Sequence, residues 1–267
     1  GLGKTSQSIV AALESGYKHV LIISPASVKE TWRKELSIYV PEDEITIVSG
    51  SEWKDNKFTI INYDILDNFY EVPTETYNFK ENDVDENGKI IKKTVSRTMV
   101  SRKKSVIDAA MKNSQLFKSH FDLIIIDEAH RLSNKSAGRY KIVLDLIGRS
   151  NPSGIYAITG TPITNNPYNF YNILKLINAP IVKDWEFYVK QYCDGKKIFR
   201  KGEKDKWTPI FLKKVGKKAW KDLSRDEKNK LDKFLDENAS SLWLHNGATN
   251  LDELKERVKG YYLRREK

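Results

Sequence analysis

The chain has 267 residues, of which 39% are apolar and 31% charged. This composition is typical of folded globular proteins and excludes a chain that is disordered along its whole length. No apolar run approaches the roughly 18 residues of a membrane span, so we expect no membrane partner. The single cysteine, Cys193, excludes an internal disulfide. Together with the lack of a visible secretion signal, it favours an intracellular location, either the nucleus or the cytoplasm of a prokaryote or infected cell.

The net charge of +10 is unevenly distributed along the chain. Residues 1–180 contain 23 Lys/Arg and 21 Asp/Glu, whereas residues 181–267 contain 23 and 15. The basic excess in the last third predicts a surface that faces a polyanion. A solvated, lysine-rich surface explains the same count, so charge alone leaves both interpretations open.

The first five residues, GLGKT, precede a stretch with helical spacing from Ser6 to Ser15. A glycine-rich turn into a helix presents backbone N–H groups to phosphate, and Lys4 adds a positive charge. The hydroxyl of Thr5 is a possible magnesium ligand at the helix start. The candidate nucleotide-binding residues are therefore Gly1, Gly3, Lys4, Thr5 and Ser6.

Buried strands and helices then alternate. His19–Ser24 predicts a strand that Pro25 ends, and a helix follows from Ser27 to Tyr39. Two more strands are predicted at Ile45–Val48 and Phe58–Asn62. Ser24, Pro25, Asn62 and Tyr63 all lie where a strand ends.

Residues 71–104 interrupt this alternation with a polar stretch, and we interpret them as an insertion. The alternation at Lys89–Val95 predicts a hairpin around Asn87-Gly88. The basic stretch Arg97–Lys104 is more simply explained as solvated surface than as a segment that contacts DNA bases. A helix is predicted from Ser105 to His120.

Leu123–Ile126 is an uninterrupted apolar run, typical of a strand that is buried on both faces of a parallel sheet. Asp127 and Glu128 follow it directly. Open α/β sheets bind ligands at the carboxyl edge of their strands, so this acidic pair and Lys4 together predict a nucleotide triphosphate and magnesium site.

After His130 we predict a helix at Tyr140–Ile147, a strand at Ile155–Ile158 and a helix at Tyr168–Ile177. Thr159, Gly160 and Thr161 follow the strand, where they either sense a γ-phosphate or form an ordinary turn. Strands that alternate with helices over about 180 residues predict a mostly parallel sheet with crossover helices.

From Pro180 onward, the chain becomes helical, with tryptophans and tyrosines interleaved with lysines. Ser224–Glu227 predicts a capping box at the start of a helix that runs to Phe234, and a further helix is predicted at Leu251–Tyr261. We therefore predict two domains, an α/β domain at 1–180 and a helical, basic protrusion at 181–267.

Taken in order, these motifs resemble the first motor lobe of the Swi/Snf-type ATPases, within the superfamily-two helicases. The series is GLGKT with Gln7, IISP at residues 22–25, DEAHRL at 127–132, TGTP at 159–162 with Asn165-Asn166, and LRREK at 263–267. Residues 185–197 and 245–251 further resemble the annealing-helicase branch. The resemblance spans nearly the whole chain and implies a RecA-like P-loop lobe.

The resemblance also implies roles for individual residues. Lys4 would hold the β- and γ-phosphates, Thr5 and Asp127 would bind Mg²⁺ with ATP, and Glu128 would orient or deprotonate the attacking water. The residues that would link nucleotide state to lobe movement are His130, Thr159, Gly160 and Thr161. The residues that would face the DNA backbone are Ser24, Pro25, Asn62 and Tyr63, although Asn62 replaces the threonine that is usual there. Arg264 and Arg265, grouped with the DNA-contacting residues, would form the link to a second lobe.

The implied partners are double-stranded or forked DNA and a second RecA-like lobe of the same protein. In the family that lobe supplies arginines for the transition state, so we expect the chain alone to hydrolyse ATP barely or not at all. Two other readings remain open, a catalytically silent nucleic-acid-binding module and a lobe of an RNA or restriction-type helicase. The TGTP sequence disfavours most RNA helicases, which carry Ser-Ala-Thr at this point.

Overall fold

A computed structural model describes residues 3–69, 74–86, 89–100, 105–106, 114–134, 138–160 and 167–261. The chain divides into two compact units. Unit 1 comprises Gly1–Pro73, Val100–Cys193 and Gly247–Lys267, and unit 2 comprises Thr74–Met99 and Asp194–Asn246.

Unit 1 is built on a five-stranded parallel sheet. Its strands are β1 (Val20–Ser24), β2 (Ile45–Ile47), β3 (Phe58–Asn62), β6 (Leu123–Asp127) and β7 (Gly154–Ile158). Strands β4 (Thr74–Val84) and β5 (Ile90–Val100) fall in unit 2, apart from Val100. The strand order is β2-β3-β1-β6-β7, and all four pairings are parallel. Each adjacent pair therefore ends at the same edge, as the alternation of strands and helices predicted.

The helices of unit 1 cover this sheet and connect its strands. They are α1 (Lys4–Glu14), α2 (Lys29–Leu36), α3 (Gln115–Lys118), α4 (Gly138–Ser150), α5 (Pro167–Leu176), α6 (Trp185–Tyr192) and, after unit 2, α9 (Leu251–Val258). Short 3₁₀ turns add Ala26–Val28, Glu42–Glu44, Tyr63–Asn68, Ala129–Leu132 and Pro180–Val182. Of the helix predicted at Ser105–His120, only its last part, α3, and residues 105–106 lie within the described residues.

The core of unit 1 forms because the three central strands are mostly apolar and are buried almost throughout. Every residue of β1 and β3 is buried, as are the first four residues of β6. Helices α1 and α2 pack on one face of the sheet through Ile9, Trp32 and Leu36, each no more than 1% exposed. This burial confirms the strands that were predicted from uninterrupted apolar runs.

Unit 2 combines two small sheets with two helices. Strands β4 (Thr74–Val84) and β5 (Ile90–Val100) pair with each other, and β8 (Lys196–Phe199) pairs antiparallel with β9 (Ser241–Leu244). Helices α7 (Glu203–Val215) and α8 (Arg225–Asn238) enclose a core of Trp207, Phe211, Leu212, Leu223, Leu231 and Leu235. The paired strands agree with the predicted hairpin, whose turn at Asn87-Gly88 lies outside the described residues.

The two units do not coincide with the division that the sequence suggested at residue 180. Helix α6 groups with unit 1, and the stretch interpreted as an insertion groups with residues 194–246. The composition changes at Pro180, whereas contacts between β4 and α8 associate segments more than a hundred residues apart. Among the described residues, no helix combines the length and the apolar character needed to cross a membrane.

Candidate nucleotide-binding site

The carboxyl ends of the parallel strands bring the predicted polar residues to one edge of the sheet. Ser24 of β1 lies opposite Asn62 of β3, and Asp127 of β6 lies opposite Ile158, the last residue of β7. Thr159 follows β7 directly. The edge thus presents polar groups from neighbouring strands, the usual place for a ligand in an open α/β sheet.

Asp127 is half-buried, and both of its carboxylate oxygens accept hydrogen bonds from the chain. The indole Nε1 of Trp32 donates to Oδ2 at 2.9 Å, and the backbone N–H of Glu128 donates to Oδ1 at 2.9 Å. Burial raises the pKa of Asp127, while these two hydrogen bonds and the charge of Lys4 act in the opposite direction. The carboxylate is held in a defined orientation at the end of β6.

Lys4 begins α1 and lies close to the acidic pair. It follows Gly3, whose φ of 68° places it in the left-handed region that favours glycine. A Cβ added to Gly160 would come within 4.0 Å of the Lys4 ammonium nitrogen, so the lysine lies beside the turn after β7. The charge of Lys4 also acts on Asp127. Lys4 and the end of the central strand β6 therefore meet at one edge.

Glu128, His130 and Thr159 form a connected group at the same edge. His130 Nδ1 lies 3.1 Å from Glu128 Oε2 and 3.1 Å from Thr159 Oγ1. The contact with Thr159 is a hydrogen bond whose direction depends on the tautomer of the ring, and the contact with Glu128 is an ion pair when the ring is protonated. The ring links the end of β6 to the residue after β7.

The residues at this edge fit the small number of protein ligands that Mg²⁺ takes when it binds together with a nucleotide. Among the described residues there is no cluster of three or more His, Cys, Asp or Glu side chains that would hold a metal ion. Mg²⁺ typically takes one or two protein ligands and completes its shell with waters and substrate phosphates. The Asp127 carboxylate and the half-buried Thr5, next to the helix start at Lys4, match that requirement.

Ser6, a predicted nucleotide-binding residue, directs its hydroxyl elsewhere. Ser6 Oγ donates to Glu35 Oε2 at 2.7 Å, across to helix α2. Its hydroxyl therefore joins two helices, and its backbone N–H in the first turn of α1 is the group that remains suited to phosphate.

The four described residues predicted to face DNA are buried. Ser24 is 0%, Asn62 5% and Tyr63 2% exposed, and Pro25 is also buried. The hydroxyl of Tyr63 donates to the backbone carbonyl of Asp127, and burial raises its pKa. These side chains are buried, and the exposed positions next to them are Ala26 and Ser27. That this edge faces DNA stays a prediction.

Several predicted residues lie outside the described ranges, namely Gly1, Thr161, Arg264 and Arg265. The structure adds one functional neighbour that the sequence analysis missed, Trp32. Trp32 lies on the buried side of α2. A buried indole N–H needs an acceptor, but nothing in the local pattern identified Asp127, 95 positions away, as that acceptor.

Comparison with known proteins places these features in a wider context. The family model described as "SNF2-related domain" matches residues 1–266. The human protein "DNA annealing helicase and endonuclease ZRANB3" is 24% identical over 205 residues, which cover 73% of this chain and 15% of that protein. "ISWI chromatin-remodeling complex ATPase ISW2" of Saccharomyces cerevisiae is 26% identical over 196 residues, or 70% of this chain and 14% of the relative.

Among solved structures, the chain resembles the "Sulfolobus solfataricus SWI2/SNF2 ATPase core in complex with dsDNA". The TM-score is 0.52 at 19% identity, and the match covers 99% of this chain and 38% of that one. At this identity the likeness supports the fold. The chain spans 15% of the length of the ZRANB3 proteins of Homo sapiens, Bos taurus and Mus musculus.

Proposed function

This chain belongs to the SNF2-related domain family, and we propose that it is the ATP-binding lobe of an ATP-dependent translocase acting on double-stranded DNA inside the cell. The observation that carries the proposal is the meeting of Lys4, Asp127 and Gly160 at the carboxyl edge of a parallel sheet. The relatives' names, which include a helicase and a chromatin-remodelling ATPase, support the same function.

In the proposed site, Lys4 and the free N–H groups at the start of α1 bind the phosphates of ATP. Thr5 and Asp127 hold Mg²⁺, which when bound neutralises phosphate charge. Glu128, one residue beyond Asp127, orients the attacking water and accepts its proton. His130 then senses the nucleotide state through its contacts with Glu128 and Thr159.

We assign part of the DNA contact to unit 2, which is the more basic unit. Its sequence contains 20 Lys/Arg and 14 Asp/Glu. Residues 213–221, which we call the lysine-rich turn, contain five lysines and no acidic residue, and Trp220 within it is 56% exposed. Such a combination of exposed lysines and an aromatic ring suits nucleic acid.

The lysine-rich turn has a defined backbone. Gly216 ends α7 in a left-handed conformation with φ 70°, and the N–H of Lys217 donates to the carbonyl of Leu212 at 2.9 Å. The ammonium of Lys228 lies 4.3 Å from the centre of the Trp220 ring. The lysines are therefore presented by an ordered turn. Forked DNA and a second RecA-like lobe remain the further partners that we propose.

The nucleotide site is tested by Lys4→Ala. Loss of a charge-assisted contact worth roughly 1.5–3 kcal/mol should weaken MgATP binding about tenfold or more. Isothermal titration calorimetry of the purified chain measures this directly. Lys18→Ala is the matched control, because Lys18 is exposed and precedes β1, at the opposite edge of the sheet. Equal ATP affinity in wild type and Lys4→Ala would refute the proposed site.

A further inference from the structure

Helix α2 contacts both halves of the proposed site. It packs on the sheet face through Trp32 and Leu36, within a core that also contains Ile9 and Ala12 of α1 and Ile125 of β6. Trp32 and Glu35 are three residues apart, so they project from neighbouring positions on one side of the helix. One helix therefore touches the phosphate-binding helix and the acidic strand.

The two contacts are specific hydrogen bonds. Trp32 Nε1 donates to Asp127 Oδ2 at 2.9 Å, and Ser6 Oγ donates to Glu35 Oε2 at 2.7 Å. Trp32 is 1% exposed. Without Asp127, the indole N–H would be buried without a hydrogen-bond acceptor, which is energetically costly. The core thus determines where the indole N–H points, and the indole determines where the carboxylate can lie.

The Asp127 carboxylate is fixed at both oxygens, which a packing role for Trp32 does not require. Oδ1 accepts from the N–H of Glu128, and Oδ2 accepts from Trp32. Together the two bonds prevent rotation of the carboxylate and leave its remaining lone pairs for a ligand. Partners that orient a metal ligand in this way typically change metal affinity by about 10–100-fold when they are removed.

We propose that Trp32 is a positioning residue that orients Asp127 for Mg²⁺, and that Glu35, through Ser6, positions the start of the phosphate-binding helix from the same helix α2. The inference rests on the proposed function, because it requires Asp127 to be a magnesium ligand. Loss of the indole N–H should therefore raise the Mg²⁺ concentration required for tight ATP binding, while magnesium-free ATP binding should change little.

The test compares Trp32→Phe with Trp207→Phe. Trp207 is also completely buried and also donates its Nε1 to a carboxylate, Glu203 Oε2 at 3.1 Å, but it lies in the core of unit 2. The two substitutions remove the same volume and the same kind of hydrogen bond. A difference in Mg²⁺ dependence between the two variants therefore reflects the specific contact of Trp32 with Asp127 and not the general effect of losing a buried indole.

The readout is binding of fluorescent ATP to the purified chain during a Mg²⁺ titration and, separately, in EDTA. Trp32→Phe should raise the Mg²⁺ midpoint about tenfold and leave binding in EDTA near the wild-type value. Trp207→Phe should leave the midpoint unchanged. A wild-type midpoint in Trp32→Phe, or an equal shift in Trp207→Phe, would overturn the proposal.

Two further variants guard against misfolding and separate the two contacts. Benzothienylalanine at position 32 keeps the ring shape without the N–H and should reproduce the shift if Trp32→Phe does not fold. Glu35→Leu should weaken ATP binding with and without Mg²⁺. Glu35→Gln keeps an acceptor for the Ser6 hydroxyl and should bind ATP with near wild-type affinity. Wild-type ATP affinity in Glu35→Leu would show that Glu35 does not position the phosphate-binding helix. If the wild-type chain binds no ATP at all, the proposed nucleotide-binding function itself is refuted, a result that can be told apart from failure of the Trp32 proposal alone.

Discussion

Glu128 shows how a single residue shapes the site. Its φ and ψ of 49° and 49° lie in the left-handed region, which non-glycine residues enter at a cost of roughly 1–3 kcal/mol. This conformation ends β6 and allows the N–H of Glu128 to bond Asp127 while its carboxylate reaches His130. Such strain is common where geometry serves a ligand.

Replacing Glu128 by glutamine tests its proposed role in hydrolysis. Glutamine keeps the size of the side chain but accepts no proton, so turnover should fall by about 10²–10⁴-fold. The measurement is phosphate release with duplex DNA by the full-length protein that contains this chain, with MgATP affinity measured in parallel.

MgATP affinity should stay within a few-fold of wild type in Glu128→Gln, because the residue contacts neither the phosphates nor the metal in our proposal. Glu14→Gln, at the exposed end of α1, is the control and should leave turnover unchanged. Normal hydrolysis by Glu128→Gln would remove this residue from catalysis.

At the scale of elements, the start of α8 is a case in which local chemistry determines structure. Ser224 Oγ accepts from the N–H of Glu227 at 3.2 Å, and the Glu227 carboxylate accepts from the N–H of Ser224 at 2.8 Å. The pKa of Glu227 is lowered, chiefly by that backbone hydrogen bond. The capping box predicted from four residues is confirmed, because all of its contacts fall within one helical turn.

Ser224→Ala should lower the free energy of unfolding by about 1 kcal/mol, since it leaves a helix N–H without its acceptor. Urea denaturation monitored by circular dichroism measures the change. Ser224→Asp retains an oxygen acceptor at the cap and should lose little stability. If both variants are equally destabilised, the hydroxyl acceptor is not the cause.

The same box makes a small part of the stability depend on pH. The folded pKa of Glu227 lies below its ordinary value of 4.5, so its stabilising contribution is present above that value. It is lost as pH falls through the lowered folded pKa. The difference between wild type and Glu227→Gln should therefore shrink in acid.

For the whole molecule, the distribution of charge between the two units determines where DNA should bind. The lysine-rich turn belongs to unit 2, and four of its lysines are exposed, Lys213, Lys214, Lys218 and Lys221. Contacts between lysines and phosphates release counterions, so their number is visible in the salt dependence of binding.

Changing these four lysines to glutamine should reduce the slope of log K against log salt by about 0.9 for each lysine that contacts a phosphate. Fluorescence anisotropy with a short labelled duplex over a range of salt concentrations gives the slope. A control chain with four exposed lysines of unit 1 changed to glutamine carries the same net charge; these are Lys18, Lys54, Lys183 and Lys190. Identical slopes in both variants would refute the assignment to the lysine-rich turn.

The sequence by itself determined the parallel sheet and the position of the acidic pair. Uninterrupted apolar runs such as Leu123–Ile126 mark strands buried on both faces, and a residue that directly follows such a run must lie at the sheet edge. Lys4 and Asp127 were predicted to share a site for that reason. The inference about the strands holds because it depends on short, contiguous stretches, whereas the nucleotide site shared by Lys4 and Asp127 stays a prediction.

Only the tertiary structure decided which distant groups meet. It paired Trp32 with Asp127 across 95 positions, buried Ser24 and Asn62 at an edge predicted to face DNA, and grouped residues 74–99 with residues 194–246. Local periodicity reports which face of an element is apolar, but it carries no information about which element will cover that face. That choice depends on how the whole chain packs, and it is what orients the Asp127 carboxylate.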